Sequence, residues 1–226
     1  MKHTTKTLFA TTITAALSVC TAQAEQIAVY NFTGSSFASS DSSTVTASDL
    51  AVGAGLTADG ANTTIDAGFG NTAPAFKFRY APIGGNDEDR FDADTVSLTV
   101  TPAGGDTLDF TSITFDLINI SGSAGITATV YSTVIDGTID DATNDKIGDY
   151  ATAGGAGSWE PVSFDLSAYT GKSGSQTFVI NFWTNGNNGV HNNYIDNIIV
   201  NATVVPEPTS LALLGLGGLA LVRRRR

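Results

Sequence analysis

Apolar and polar side chains alternate along much of the chain. In residues 75–80, Phe76, Phe78 and Tyr80 share one face, and Lys77 and Arg79 lie on the other. The same two-residue period occurs in 96–100, 113–117, 126–130 and 178–182. Successive side chains of a β-strand point to opposite sides of a sheet, so this period indicates strands with one buried face.

Shorter stretches extend the pattern into a complete β domain. Further strands are predicted at 26–33, 44–50, 63–67, 161–166 and 194–203. Gly, Asn and Asp residues that favour turns separate these stretches, and no long helical repeat interrupts them. About ten short strands at this spacing predict an all-β fold, an antiparallel β-sandwich with jelly-roll-like topology.

The composition excludes several classes of protein. Charged residues make up 15% of the chain, against roughly 25% in average proteins. The 11 basic and 22 acidic residues give a net charge of −11, which argues against a nucleic-acid binder, because such a protein needs a basic surface to neutralise phosphate. A single cysteine excludes a disulfide framework.

The first 24 residues have the organisation of a secretory signal peptide. Lys2 and Lys6 precede a short apolar stretch, residues 8–19. Ala22 and Ala24 then supply the two small residues that signal peptidase reads. Cleavage is therefore expected after Ala24.

An alternative for the N-terminus is a lipoprotein signal with Cys20 as the lipidated residue. Such a site has a small residue before the cysteine, whereas this chain has Val19, so the Ala-x-Ala site is preferred. Either way, the exported fold contains no cysteine and one histidine, His191. A cysteine nucleophile, a thiolate zinc site and a multi-histidine metal site are thereby excluded.

The C-terminus combines a proline-flanked acid, an apolar segment and a basic end. Pro206, Glu207 and Pro208 precede the apolar residues 209–222, and the chain ends in Arg223, Arg224, Arg225 and Arg226. As a helix, residues 209–222 would be roughly 21 Å long, short of the ~30 Å hydrocarbon core. Arginine side chains that reach the interface can make up part of the difference. The arginines are expected to stop transfer on the cytoplasmic side, with the domain outside.

This tail resembles the PEP-CTERM sorting signal of Gram-negative bacteria, which is also catalogued as an ice-binding-protein C-terminal domain without implying ice binding. The resemblance implies that an exosortase, a membrane-embedded processing enzyme, recognises Pro206, Glu207 and Pro208 and removes the tail. It also implies a cell-surface or matrix protein of an organism that makes exopolysaccharide and biofilm. The chain then divides into a signal peptide (1–24), a β-sandwich domain (25–205) and a sorting signal (206–226).

The central domain is strongly acidic. Residues 25–205 contain five basic and 21 acidic residues, a net charge of −16. Such a domain repels anionic polymers and could bind divalent cations. Two groups of acids, in 86–94 and 136–149, lack the spacing of a calcium-binding loop and are interpreted as solvated loops.

The domain also resembles a known class of fold. Segments 27–33, 108–115 and 194–200 resemble secreted PEP-CTERM proteins with jelly-roll domains, and the last segment resembles the final strand of galactose-binding-like and carbohydrate-binding modules. Such modules often carry a structural calcium between the first and last strands. Asp196 matches the last-strand acid, and Glu25 or Asn31 could add an oxygen. The alternative is that Asp196 accepts hydrogen bonds from neighbouring backbone amides.

Trp183 is the main candidate for binding a sugar, because a pyranose presents an apolar C–H face to an aromatic ring. It lies on the polar side of its strand and precedes an Asn-rich loop. Amides can bond sugar hydroxyls in both directions. The candidate glycan-binding set is Trp183, Asn187, Asn188 and Tyr194. The alternative is that the aromatic residues pack the sandwich and the asparagines form turns.

No catalytic residues are predicted. The chain contains no nucleophile elbow, phosphate loop or zinc motif, and His191 lies in the Asn-rich loop. The sequence therefore predicts an exported, non-catalytic protein with a structural or adhesive role in exopolysaccharide or biofilm. Two alternatives remain: a carbohydrate-binding module, and a glycan hydrolase or lyase that would need two facing acids.

Overall fold

The computed structural model describes residues 23–33, 37–53, 56, 64–66, 75–80, 94–119, 125–140, 144–152, 157–183 and 191–207. These residues form thirteen strands. The strands are β1 (Glu25–Tyr30), β2 (Ser40–Asp41), β3 (Val45–Ala47), β4 (Ala51–Val52), β5 (Thr64–Asp66), β6 (Ala75–Tyr80), β7 (Thr95–Pro102), β8 (Thr107–Asn119), β9 (Thr127–Ser132), β10 (Lys146–Ala151), β11 (Glu160–Asp165), β12 (Gln176–Trp183) and β13 (His191–Val205).

The strands form two antiparallel sheets. The seven-stranded sheet has the order β11-β8-β13-β1-β2. β6 also pairs with β13, on the same edge as β1 but along a different part of the strand, and β5 pairs with β6. The six-stranded sheet has the order β10-β9-β12-β7-β3, and β4 pairs with β7 beside β3. The predicted all-β, antiparallel, jelly-roll-like sandwich is confirmed.

The apolar face of each strand packs between the two sheets. On β12, Phe178, Ile180 and Phe182 are buried, whereas the alternate residue Trp183 is half-buried on the outer side. Phenylalanine pairs join the two layers: the rings of Phe78 and Phe182 lie 4.3 Å apart. Each fully buried ring of this kind contributes about 1.5–3 kcal/mol to folding. The two-residue period therefore places Val179, Asn181 and Trp183 of β12 on the side of the sheet away from the core.

β10 was not predicted from the sequence. Its residues fall in the acidic stretch 136–149 and beyond, and their irregular exposure lacks a clean two-residue period. Gly148 leaves room for the ring of Phe164, since a side-chain carbon added there would stand 3.0 Å from that ring. β10 is an edge strand that pairs with β9 where a solvated loop was expected, and Gly148 lets it pack closely against Phe164 of β11.

β13 contains a bulge that determines which side chains face outward. Its pairing with β8 shifts between Asp196 and Ile199, and Asn197 has a φ of 51°. Asparagine adopts this left-handed conformation more readily than most residues. Because of the extra residue, Ile195 and Ile198 both face the core, and Asp196 and Asn197 both lie on the outer side.

Candidate functional site

A row of polar side chains crosses the outer surface of the six-stranded sheet. Asp149 of β10 is opposite Thr129 of β9, Thr129 is opposite Asn181 of β12, and Asn181 is opposite Thr95 of β7. All four lie on the side away from the core, because their neighbours on each strand alternate into it. Asp149 is exposed, whereas Thr95, Thr129 and Asn181 are buried. We call this row, together with Trp183, the Trp183 face.

Trp183 is held on this face by a chain of hydrogen bonds. Its indole Nε1 donates to Thr129 Oγ1 at 2.8 Å, and Thr129 Oγ1 donates to Asp149 Oδ1 at 2.8 Å. Lys146 Nζ donates to the other oxygen of Asp149, Oδ2, at 2.9 Å. The indole N–H is thereby satisfied, and the half-buried ring has a defined orientation next to Asn181.

Asn181 has unused hydrogen-bonding capacity. Its side chain is 1% exposed, and in the described part of the chain neither Nδ2 nor Oδ1 has a hydrogen-bond partner. A buried amide in this state destabilises a fold by about 1–3 kcal/mol for each unsatisfied group. The same amide can donate to one hydroxyl and accept from another. Sequence reasoning missed this residue because alternation predicts its face but not its burial.

The other predicted glycan-binding residues are not brought to the Trp183 face within the described chain. Tyr194 lies on the outer side of the seven-stranded sheet, is 6% exposed, and packs edge-on against Trp159 with ring centroids 6.4 Å apart. Asn187 and Asn188 lie outside the described residues. For His191 the structure describes the backbone, which pairs with Tyr80.

Asp196 is opposite a second acid on the outer surface of the seven-stranded sheet. It pairs in register with Asp116 of β8. Asn197 bridges the pair: its backbone N–H donates to Asp196 Oδ1 and its side-chain Nδ2 donates to Asp116 Oδ2, both at 2.8 Å. Burial raises the pKa of Asp196 to about 6, and the nearby Asp116 carboxylate adds to the rise, against the opposing effect of the Asn197 hydrogen bond.

The described side chains around Asp196 supply few of the oxygens that a calcium ion needs. Calcium takes six to eight oxygen ligands, whereas this position brings two carboxylates together with an amide that turns its N–H toward Asp116. Glu25 pairs with Ala202, far along β13 from Asp196, and the Asn31 side-chain oxygen accepts from Thr33. Among the described residues, no group of three His, Cys, Asp or Glu could hold a metal. Calcium at Asp196 stays a prediction.

Several acids from the predicted solvated loops have structural partners instead. Asp145 is fully buried and its Oδ2 accepts the backbone N–H of Asp140 at 2.8 Å. Asp149 belongs to β10 and to the Trp183 network. Asp94, which follows the other acidic stretch, is 8% exposed. Interpreting Asp94 and Asp145 as solvated was therefore wrong, because both are buried, whereas Asp149 is exposed and lies in a strand instead of a loop.

The two ends of the chain lie largely outside the described residues. Gln23 and Ala24 are described and exposed, whereas Ala22 and the rest of residues 1–22 are not described. Pro206 and Glu207 follow β13 and are exposed; Pro208, the apolar segment 209–222 and Arg223–Arg226 lie outside the description. Among the residues that the structure describes, no helix is long and apolar enough to cross a membrane.

The tail matches a known sorting motif. Residues 204–226 match the PEP-CTERM protein-sorting motif, which confirms the resemblance seen in Pro206, Glu207 and Pro208. This motif marks an exported protein that is associated with the cell envelope and implies processing by an exosortase. A search of the curated proteins finds no match to the chain.

Solved structures similar to this chain are β-sandwich domains. One is the K1 cleaved adhesin domain of Lys-gingipain from Porphyromonas gingivalis W83, with 16% identity over 79% of this chain and 97% of that chain and a TM-score of 0.38. Another is the CBM22-1 xylan-binding domain from Paenibacillus barcinonensis Xyn10C, with 11% identity, 79% and 95% coverage and a TM-score of 0.41. A third, TmCBM61 with bound beta-1,4-galactotriose, has 12% identity, 76% and 93% coverage and a TM-score of 0.34. At these identities the similarity concerns the fold alone.

Proposed function

We propose that this is an exported, non-enzymatic surface or matrix protein that adheres to polysaccharide through the Trp183 face. The sorting motif accounts for its export. The observation that carries the proposal is the fixed orientation of Trp183, whose N–H is held by Thr129 beside the unpartnered amide of Asn181. The half-buried ring offers a face to one sugar unit. The Asn181 amide is 1% exposed, so a side-chain movement must uncover it before it donates to or accepts from a sugar hydroxyl.

The charge of the domain narrows the class of polysaccharide. A net charge of −16 over residues 25–205 repels anionic polymers. On the Trp183 face itself, Lys146 is paired with the carboxylate of Asp149. The positive charge of Lys146 is therefore already neutralised and does not attract an anionic sugar. We therefore assign a neutral glycan of exopolysaccharide or biofilm as the partner.

A glycan hydrolase needs two facing acids that both reach the substrate. Asp116 and Asp196 face each other, and Asp116 lines an open groove of about 520 Å³ with Thr114, Pro161, Ser163 and Asn197. Asp196 does not line this groove and is 1% exposed. A sugar in the groove would meet one carboxyl group, whereas a glycosidase uses two. The pair therefore favours a structural role and supports a non-enzymatic protein.

Glycan binding by the exported protein tests the proposal. The protein would be purified from cells that export and process it, and titrated with neutral glycans and the host's own polysaccharide. We expect saturable binding that Trp183→Ala weakens at least tenfold, equivalent to about 1.4 kcal/mol. Trp159→Ala is the matched control, because Trp159 packs on the outer side of the other sheet.

Two results would contradict this assignment. Unchanged binding by Trp183→Ala would place the glycan site elsewhere on the domain. Failure of the unmodified protein to bind any glycan would leave a structural surface protein whose partners are other proteins.

A further inference from the structure

The sorting motif begins without any spacer at the end of a paired strand. β13 pairs with β8 up to its last residue, with Val204 opposite Leu108 and Val205 opposite Thr107. Pro206 follows directly. The turn between β7 and β8, residues 103–106, lies at the same end of the sandwich because β8 starts at Thr107. The fold therefore brings the start of the motif to this turn.

Glu207 rests on the β7–β8 turn. The turn is closed by a hydrogen bond from Asp106 N–H to the Ala103 carbonyl at 2.9 Å. The backbone N–H of Glu207 points to Asp106 Oδ1 at 3.4 Å. A side-chain carbon added at Gly105 would stand 2.5 Å from the Glu207 carboxyl carbon, so the carboxyl group occupies the space that a side chain at position 105 would take.

Gly105 makes this approach possible for two reasons. Its φ of 96° lies in the region that favours glycine, and its missing side chain leaves the turn backbone open to Glu207. Gly104, the preceding residue, has nothing within 4 Å of the position its side chain would occupy. The two adjacent glycines thus differ in the feature that matters: one lies under Glu207 and the other faces open space.

We propose that the β7–β8 turn is a docking surface for Glu207 of the chain's own sorting motif, and that this contact delays processing of the tail. An enzyme that recognises Pro206, Glu207 and Pro208 must take hold of Glu207, and the same carboxyl group lies against Gly105 in the folded domain. Strand β13 also keeps the residues before Pro206 paired with β8. Glu207 is exposed, so the enzyme can approach it, but its carboxyl group must leave Gly105 before the enzyme can enclose that group. This inference rests on the sorting motif and is independent of glycan binding.

The experiment follows the lifetime of the full-length precursor in cells that process it, by pulse-chase labelling. We expect Gly105→Ala to shorten the precursor half-life severalfold, because the new methyl group displaces Glu207. Gly137→Ala is the matched control, because Gly137 has a φ of 100° and nothing within 4 Å of the position its side chain would occupy, so it reproduces the backbone strain without displacing Glu207. Gly137→Ala and Gly104→Ala should both process at the unmodified rate. A Gly105→Ala half-life equal to or longer than that of the control overturns the proposal.

Two further measurements separate release of Glu207 from a general loss of fold. In the purified full chain, the Glu207 amide should exchange hydrogen faster in Gly105→Ala than in Gly104→Ala, while amides of the β8–β13 pair keep their protection. Four residues, Gly-Ser-Gly-Ser, inserted between Val205 and Pro206 leave the turn intact and should also shorten the half-life. Equal exchange in both variants, or no change on insertion, overturns the proposal.

Discussion

The acids on the two outer surfaces of the sandwich have opposite surroundings. On the six-stranded sheet, Asp149 accepts a hydroxyl hydrogen bond from Thr129 and pairs with Lys146. On the seven-stranded sheet, Asp196 is buried opposite Asp116, and the donors bridging that pair are the neutral groups of Asn197. Burial beside a like charge disfavours the ionised form of Asp196.

This difference assigns different roles to the two surfaces. The acid on the Trp183 face belongs to a hydrogen-bond network that fixes the orientation of the indole ring. The acid pair on the other surface fixes the bulge of β13, and ionisation of Asp196 works against folding. The same residue type thus holds a tryptophan side chain on one sheet and limits stability on the other.

The largest expected effect concerns the acid pair. The pKa of Asp196 is raised from 3.8 to about 6, so the folded chain holds a proton there that the unfolded chain has already lost between these pH values. Stability should therefore fall as the pH rises through this window, and the full penalty, up to about 3 kcal/mol, should apply at pH 7. Asp196→Asn keeps an oxygen for the Asn197 amide and should be the more stable protein at pH 7, as measured by urea unfolding from pH 4 to pH 8.

Asp165 provides the control for this pH profile. It is exposed, and hydrogen bonds from Ser167 lower its pKa. Its contribution is therefore present at neutral pH and lost on acidification, so Asp165→Asn should give no gain at pH 7. A loss of stability in Asp196→Asn at pH 7 would mean that the carboxylate is ionised and held by a cation, contrary to the contrast drawn between the two surfaces.

A smaller effect is expected from replacing Asn181 on the Trp183 face: stability should rise and glycan affinity should fall. Asn181→Leu removes a buried amide without hydrogen-bond partners and keeps a similar volume, so the free energy of unfolding should rise by about 1–3 kcal/mol. Glycan affinity should fall severalfold, because the amide that bonds the sugar is gone. Calorimetric titration and urea unfolding of the same preparation measure the two effects together.

Asn201 is the matched control on the other sheet. Its Nδ2 donates to Ser112 Oγ at 3.1 Å, so Asn201→Leu should lower stability and leave glycan affinity unchanged. If Asn181→Leu were destabilised in the same way, the amide would be serving the fold, and the Trp183 face would lose its second binding group.

The alternation of side chains was sufficient to predict the sandwich and the side of the sheet on which Trp183 lies. Phe178, Ile180 and Phe182 alternate with it, and burial of one strand face is a local property of the sequence. The bulge at Asn197 is also visible in the sequence pattern, because the buried residues Ile195 and Ile198 are three positions apart instead of two.

Cross-strand partners could not be predicted in the same way. Asp116 and Asp196 are 80 positions apart, and Thr129 and Trp183 are 54 apart, so only the register of β8 with β13 and of β9 with β12 brings them together. The contact of Glu207 with Gly105 depends likewise on where β13 ends relative to the β7–β8 turn. These contacts join distant segments through strand pairing, which a one-dimensional pattern does not encode.

The smallest expected effect is that of calcium on the unmodified protein. The described donors around Asp196 are two carboxylates and an amide N–H, too few oxygens for calcium, so millimolar calcium followed by chelator should leave the melting temperature unchanged at pH 7. Any ion that bound the folded state alone would raise it by mass action. A calcium-dependent rise in melting temperature that disappears in Asp196→Asn would support the calcium site expected from the sequence. The acid pair would then bind a ligand instead of serving the fold alone, and the contrast with the Trp183 face would be lost.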